Sequence, residues 1–156
     1  AKMLVEHGAS VNTKPKDGRT ALIEAVINGN GEKIGKMLLE HGASVNAKNK
    51  HIETAFRLAI NIGDAKTVKM FLDHGVSVKA TEKDGTTALM WAVDPLWTFS
   101  AATATVLLEH RFDINAQKKD GTTALMCAAG GDYNAAATML LEHRADINVQ
   151  KKDGST

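Results

Sequence analysis

Five histidines recur along the chain at near-constant spacing. They are His7, His41, His74, His110 and His143, separated by 34, 33, 36 and 33 positions, and each follows a Glu or an Asp. Imidazole and carboxylate are both zinc ligands, so a metal ladder is the first chemistry this pattern raises. Zinc holds imidazole nitrogens at about 2 Å, whereas stacked helical layers lie roughly 8–10 Å apart. One ion cannot bridge adjacent rungs. The better reading puts each His at an exposed helix C-terminus, where partial positive charge is mildly favourable.

Other chemistry fares no better. The stretch Gly29-Asn30-Gly31-Glu32-Lys33-Ile34-Gly35-Lys36 looks like a phosphate loop, but Asn30 stands where the first Gly belongs and Met37 where the hydroxyl belongs. It reads as a turn between helices. Cys127 sits beside Ala128 and Ala129 with no base or cation nearby in sequence to activate it. It reads as a small packing residue. No Ser lies in a Gly-x-Ser-x-Gly elbow. No enzyme activity, cofactor, metal or small-molecule substrate is expected.

Composition narrows the class further. With 19 Lys and Arg against 18 Asp and Glu, the formal charge is +1, far from the basic excess of phosphate-dependent binders. Nucleic acid is therefore not an expected partner. A lone cysteine cannot form an internal disulfide and suits a reducing compartment. No apolar run is long enough to span a bilayer, and the first residues do not read as a signal peptide. An intracellular, cytoplasmic protein without membrane contact is expected.

The histidines belong to a longer repeated string. Leu39-Glu40-His41-Gly42-Ala43-Ser44-Val45-Asn46 returns with small changes around His7, His74, His110 and His143. A second string opens the units: Asp17-Gly18-Arg19-Thr20-Ala21-Leu22, Asp84-Gly85-Thr86-Thr87-Ala88-Leu89 and Asp120-Gly121-Thr122-Thr123-Ala124-Leu125. Thr20, Thr54, Thr87 and Thr123 stand where an N-cap hydroxyl is needed. A short first helix over Ala21 to Asn28 should turn at Gly29-Asn30-Gly31 into a second over Lys33 to His41. Ile34, Met37 and Leu38 form its apolar stripe, and Gly42 fits a left-handed helix stop. The polar, turn-rich remainder predicts an arm. Such a unit cannot bury its apolar face alone, so the units must stack into an elongated, curved solenoid.

A period near 33 with these strings resembles the ankyrin repeat, a turn plus two helices with a Thr-Pro-Leu-His-x-Ala signature. The resemblance covers essentially the whole chain. It implies an all-α repeat solenoid of stacked helix-turn-helix units with β-hairpin-like arms. The expected division is a partial repeat over 1–16, repeats over 17–50, 51–83, 84–119 and 120–152, and the start of a further repeat at 153–156. Because neither end has the polar character of a capping repeat, a fragment of a longer array is expected.

The chain departs from the family in places. Ala21, Ala55, Ala88 and Ala124 replace the proline, and Ile23, Arg57, Met90 and Met126 replace the histidine. The Thr–His hydrogen bond implied by the family is thus lost, and weaker repeats are expected. His51-Ile52 replaces Asp-Gly in the second unit, which should cost its arm the left-handed turn. The third unit carries a three-residue insertion within Asp94 to Phe99.

The resemblance implies protein–protein recognition through the arm tips and a concave first-helix face. The matching tips are Arg19, Glu53, Thr86 and Thr122, and the first-helix ends include Asn28, Asn61, Asp94 and Gly131. Trp91, Trp97 and Phe99 add aromatics in the one irregular unit, either as binding anchors or as a small satellite core. Trp91 is expected to face the inner groove. Lysines cluster in the arms, which reads as ordinary solubility or as steering of an acidic protein partner. A structural spacer in a larger multidomain protein is the alternative. The family also suggests asparagine hydroxylation at Asn12, Asn46, Asn115 and Asn148, against the plainer reading that each Asn bonds its own loop backbone.

Overall fold

The computed structural model describes residues 10–47, 54–77, 82–94, 96–131 and 133–154. Eight helices form among these residues. They are α1 (Ala21–Ile27), α2 (Gly31–Glu40), α3 (Ala55–Asn61), α4 (Ala65–Asp73), α5 (Ala88–Ala92), α6 (Ala101–Glu109), α7 (Ala124–Gly130) and α8 (Asn134–Glu142). They alternate between a short first helix and a longer second one, as the repeat requires. The chain divides into two compact units: Ala1–Ala59 with Lys66–Val76, and Ile60–Ala65 with Ser77–Thr156.

Each first helix starts on a threonine. Thr20 Oγ accepts from the Ile23 N–H at 3.4 Å, Thr54 from Arg57 at 3.2 Å, Thr87 from Met90 at 3.4 Å and Thr123 from Met126 at 3.3 Å. The hydroxyl satisfies one of the donors every helix start leaves open, so each cap contributes about 1 kcal/mol. At Thr87 the lost histidine has a replacement, because the Thr87 N–H points to Met90 Sδ at 3.5 Å. Thioether sulfur is a weak acceptor.

The second helices end on the repeated histidines. Nδ1 of His41, His74 and His110 lies 2.8 Å from the carbonyl four residues back, and that of His143 lies 2.9 Å away. The ring thus gives a second donor to a carbonyl that already accepts from the histidine's own backbone N–H, reinforcing the last turn of the helix. The next residue must turn left-handed: Gly42 has φ 82° and Gly75 φ 83°. In the later units Arg111 (φ 62°) and Arg144 (φ 67°) occupy this position, at a cost of about 1–2 kcal/mol each that glycine avoids.

In the first unit α1 packs on α2, burying Leu22, Ile23, Val26 and Leu38. Phe56 and Phe71 meet edge to face at 6.2 Å and 88°, a geometry aromatic quadrupoles favour. The second helix begins at Gly31, two residues before the expected Lys33. A Cβ at Gly31 would stand 2.5 Å from the Thr67 hydroxyl, so a side chain there would push the α2 N-terminus off α4.

In the second unit α5 packs on α6 and α7, and α8 on α6 and α7. Its core holds Leu89, Met90, Val93, Leu107, Ala128 and Leu140; each large side chain contributes about 1.5–3 kcal/mol by leaving water. The small alanines let helices approach closely. The arms between helix pairs are tight turns. Among the described residues no strand forms; Thr87 makes a single β-bridge, and the arms keep a hairpin-like closure by backbone bonds across the turn. In the arm at Asp120, the Lys118 N–H donates to the Thr122 carbonyl and the Gly121 N–H to the Lys118 carbonyl, both at 2.9 Å.

Candidate functional site: arm tips, first-helix ends and an aromatic insertion

Three arm tips share one construction. The aspartate side chain accepts from the N–H two residues on: Asp17 from Arg19 at 3.1 Å, Asp84 from Thr86 at 3.0 Å and Asp120 from Thr122 at 2.9 Å. The Thr86 hydroxyl also donates to Asp84 at 2.8 Å. These donors hold both the Asp84 and Asp120 carboxyls below the usual carboxylate range, chiefly through the backbone N–H. An N–H aimed at a carboxylate favours the ionised form.

Above this frame the tip residues differ. Arg19 is exposed, and its guanidinium lies 3.7 Å from Asp17 and 3.4 Å from Glu24. Such exposed pairs add little stability, so the arginine can exchange partners cheaply. Thr86 and Thr122 are half-buried. At the first-helix ends Asn28 is exposed, with Nδ2 donating to the Glu24 carbonyl at 2.8 Å. Gly131 closes α7 as its C-cap and is half-buried. Beside α7 runs an open groove of about 460 Å³, lined by Leu125, Met126, Ala129, Gly130 and Ile147 among others.

Two expected contact residues are corrected by their burial. Trp91 is only 8% exposed and Asn61 only 3%. Trp91 lies within α5, whose residues are all buried, so its ring joins the core instead of facing a groove. Asn61 ends α3, where its carbonyl accepts from the Thr98 N–H at 3.3 Å. The insertion covers it. Glu53 and the His51-Ile52 arm lie outside the described residues.

The insertion resolves into two halves. Asp94 starts it: Oδ1 accepts from Leu96 at 2.9 Å and its carbonyl from Trp97 at 3.1 Å. Phe99 ends it by packing edge-on against Tyr133 at 6.4 Å. Between them Leu96 is 82% and Trp97 37% exposed. A packed aromatic and an exposed one thus both occur, Phe99 and Trp97 respectively.

Two of the asparagines that close the repeated string bond across to the following repeat. Asn12 Oδ1 accepts from Ser44 at 2.7 Å and its Nδ2 donates to the Gly42 carbonyl at 2.9 Å. Asn115 Oδ1 accepts from the Asp146 N–H at 2.8 Å. Sequence reasoning placed these bonds within one loop; the 33-residue period is the signal that could have located them. Burial pushes the Cys127 thiol up, away from thiolate reactivity. Among the described residues no group of three His, Cys, Asp or Glu could hold a metal ion. Nor is any helix there long and apolar enough to cross a membrane.

Helix pairs stacked in register, with tied turns and unlike residues at equivalent exposed points, define a helical repeat protein. The family described as Ankyrin repeats (3 copies) matches residues 1–49 and 56–151. The chain belongs to the ankyrin repeat family, whose repeats generally mediate protein–protein interaction and are typically non-catalytic. No curated protein matches the chain closely enough to add a more specific relative.

Proposed function

We propose that this chain is a recognition module that holds a protein partner on its arm tips and the exposed ends of its first helices. Trp97 is the aromatic anchor. One observation carries this reading: the insertion fixes both of its ends, at Asp94 and at the Phe99–Tyr133 contact, while leaving Leu96 and Trp97 exposed. A large apolar side chain held rigidly in water loses little entropy on docking, and Trp is enriched among residues that dominate binding energy. Thr86, Asp94, Thr122 and Gly131 offer adaptable polar contacts within the unit that holds Trp97, and Arg19 and Asn28 offer them in the other unit.

Affinity capture with the chain and with its Arg19→Ala, Trp97→Ala double variant tests the reading. A specific protein retained by the parent and lost by the folded variant is the expected result. The same protein retained equally by both would contradict it.

A further inference from the structure

Four arms carry the same tripeptide, Lys16-Asp17-Gly18 in the first unit and Lys83-Asp84-Gly85, Lys119-Asp120-Gly121 and Lys152-Asp153-Gly154 in the second. Within the second unit these arms bond to one another directly. The Lys119 N–H donates to the Asp84 carbonyl at 2.8 Å and the Lys152 N–H to the Asp120 carbonyl at 3.0 Å. Glycine permits this approach, since a Cβ on Gly85 would stand 3.2 Å, and one on Gly121 2.7 Å, from the backbone of the next arm. Lys83, Lys119 and Lys152 therefore occupy one register position on successive rungs.

The arms are carried by packed helix pairs, so their rungs, and with them the successive lysines, repeat at roughly the 8–10 Å that separates packed helices. All three are exposed, and none is ion-paired among the described residues. Lys118 and Lys151 stand beside them. The acidic residues of these arms are Glu82, Asp84, Asp113, Asp120, Asp146 and Asp153, of which Asp84, Asp113, Asp120 and Asp146 are already turned onto their own loop N–H groups. Lys118 also acts on the Asp84 and Asp120 carboxylates. The outer column of three lysines is left to the solvent.

We propose that this edge binds an acidic protein segment in polyproline II conformation, with a carboxylate at every third residue. That helix has three residues per turn and rises about 3.1 Å per residue. Groups at i, i+3 and i+6 therefore share one face with a period of about 9.3 Å, which matches the rungs. A β-strand presents same-face groups about 6.6 Å apart and falls out of step after one rung. An α-helix comes near the spacing only at i+7, about 10.5 Å. The proposal rests on the recognition function above and names its partner's chemistry.

A fluorescein-labelled polymer of the tripeptide Glu-Pro-Pro, titrated with the protein at low salt and followed by anisotropy, tests this. The comparators are a polymer of Glu-Pro-Pro-Pro with equal glutamates, a polymer of Lys-Pro-Pro, and an oligouridylate of equal charge. Because exposed pairs contribute about 1.5- to 5-fold each, the Glu-Pro-Pro polymer should bind about tenfold tighter than the four-residue spacing. The Lys83→Gln, Lys119→Gln, Lys152→Gln variant should lose that advantage. Equal affinity for the two spacings, tighter binding of the oligouridylate, or an unchanged triple variant would each overturn the proposal. The spacing comparison needs no variant, so it holds even if the triple variant misfolds. If the peptides fail while the Trp97-dependent capture succeeds, only the lysine edge falls. If both fail, the recognition function falls with it.

Discussion

The side-chain oxygen of Asn115 accepts from the backbone N–H of Asp146 at 2.8 Å, across 31 positions of sequence. Asn12 does the same for Ser44 at 2.7 Å. A short polar side chain in one repeat thus pins the backbone of the next, at the point where the second helix has just ended. Removing it leaves a donor unpaired without disturbing any core residue. Asn115→Ala should lower unfolding stability by about 1 kcal/mol, read by urea denaturation, and Asn115→Asp should recover most of that. Equal loss in both variants would show that the oxygen is not the group that matters.

Gly121 combines φ 93° with a Cβ position 2.7 Å from the Lys151 backbone, whereas Gly29 has φ 69° and open space around it. Gly29→Ala should therefore cost about 1 kcal/mol, from the backbone conformation alone. Gly121→Ala should cost at least about 1 kcal/mol more, because two arms must separate. Thermal melts of the pair distinguish conformation from contact.

Arg144 stands in the left-handed position that Gly42 and Gly75 fill elsewhere. Arg144→Gly should stabilise the chain by about 0.5–1 kcal/mol, the backbone relief exceeding the entropy glycine adds to the unfolded state. A lower melting temperature for this variant would contradict the reading of that turn.

Asp84 and Asp120 are held below the ordinary carboxylate range by the Thr86 and Thr122 N–H groups. Their folded forms release protons more readily than the unfolded chain does. The stability they contribute is therefore complete above the unfolded value of about 4, and it is lost as pH falls through the lowered folded values. In an acid titration of stability, Asp84→Asn with Asp120→Asn should flatten the curve below about pH 4. An unchanged slope would exclude these two groups.

The repeat made much of the fold readable. The threonine caps, the Gly42 stop and the alternation of short and long helices all follow from local residue chemistry repeated in register. What escaped was whatever depends on a neighbouring repeat. The first position of α2 must be a glycine because Thr67 leaves no room there for a side chain, and nothing around Gly31 in sequence says so. Trp91 stands two positions after Leu89 in a first helix, which points it toward the groove; packing among buried α5 neighbours decides for the core. Asn61 disappears under the insertion whose Thr98 bonds its carbonyl. Arg19 and Trp97, by contrast, are exposed as a contact surface requires.

Whether those exposed residues hold a partner is best read by covalent capture. A photo-crosslinking amino acid placed at Trp97, and as a control at the exposed Lys36 on α2, should trap another protein in cells from position 97 only. Adducts of the same kind from both positions, or none from position 97, would contradict recognition through the insertion.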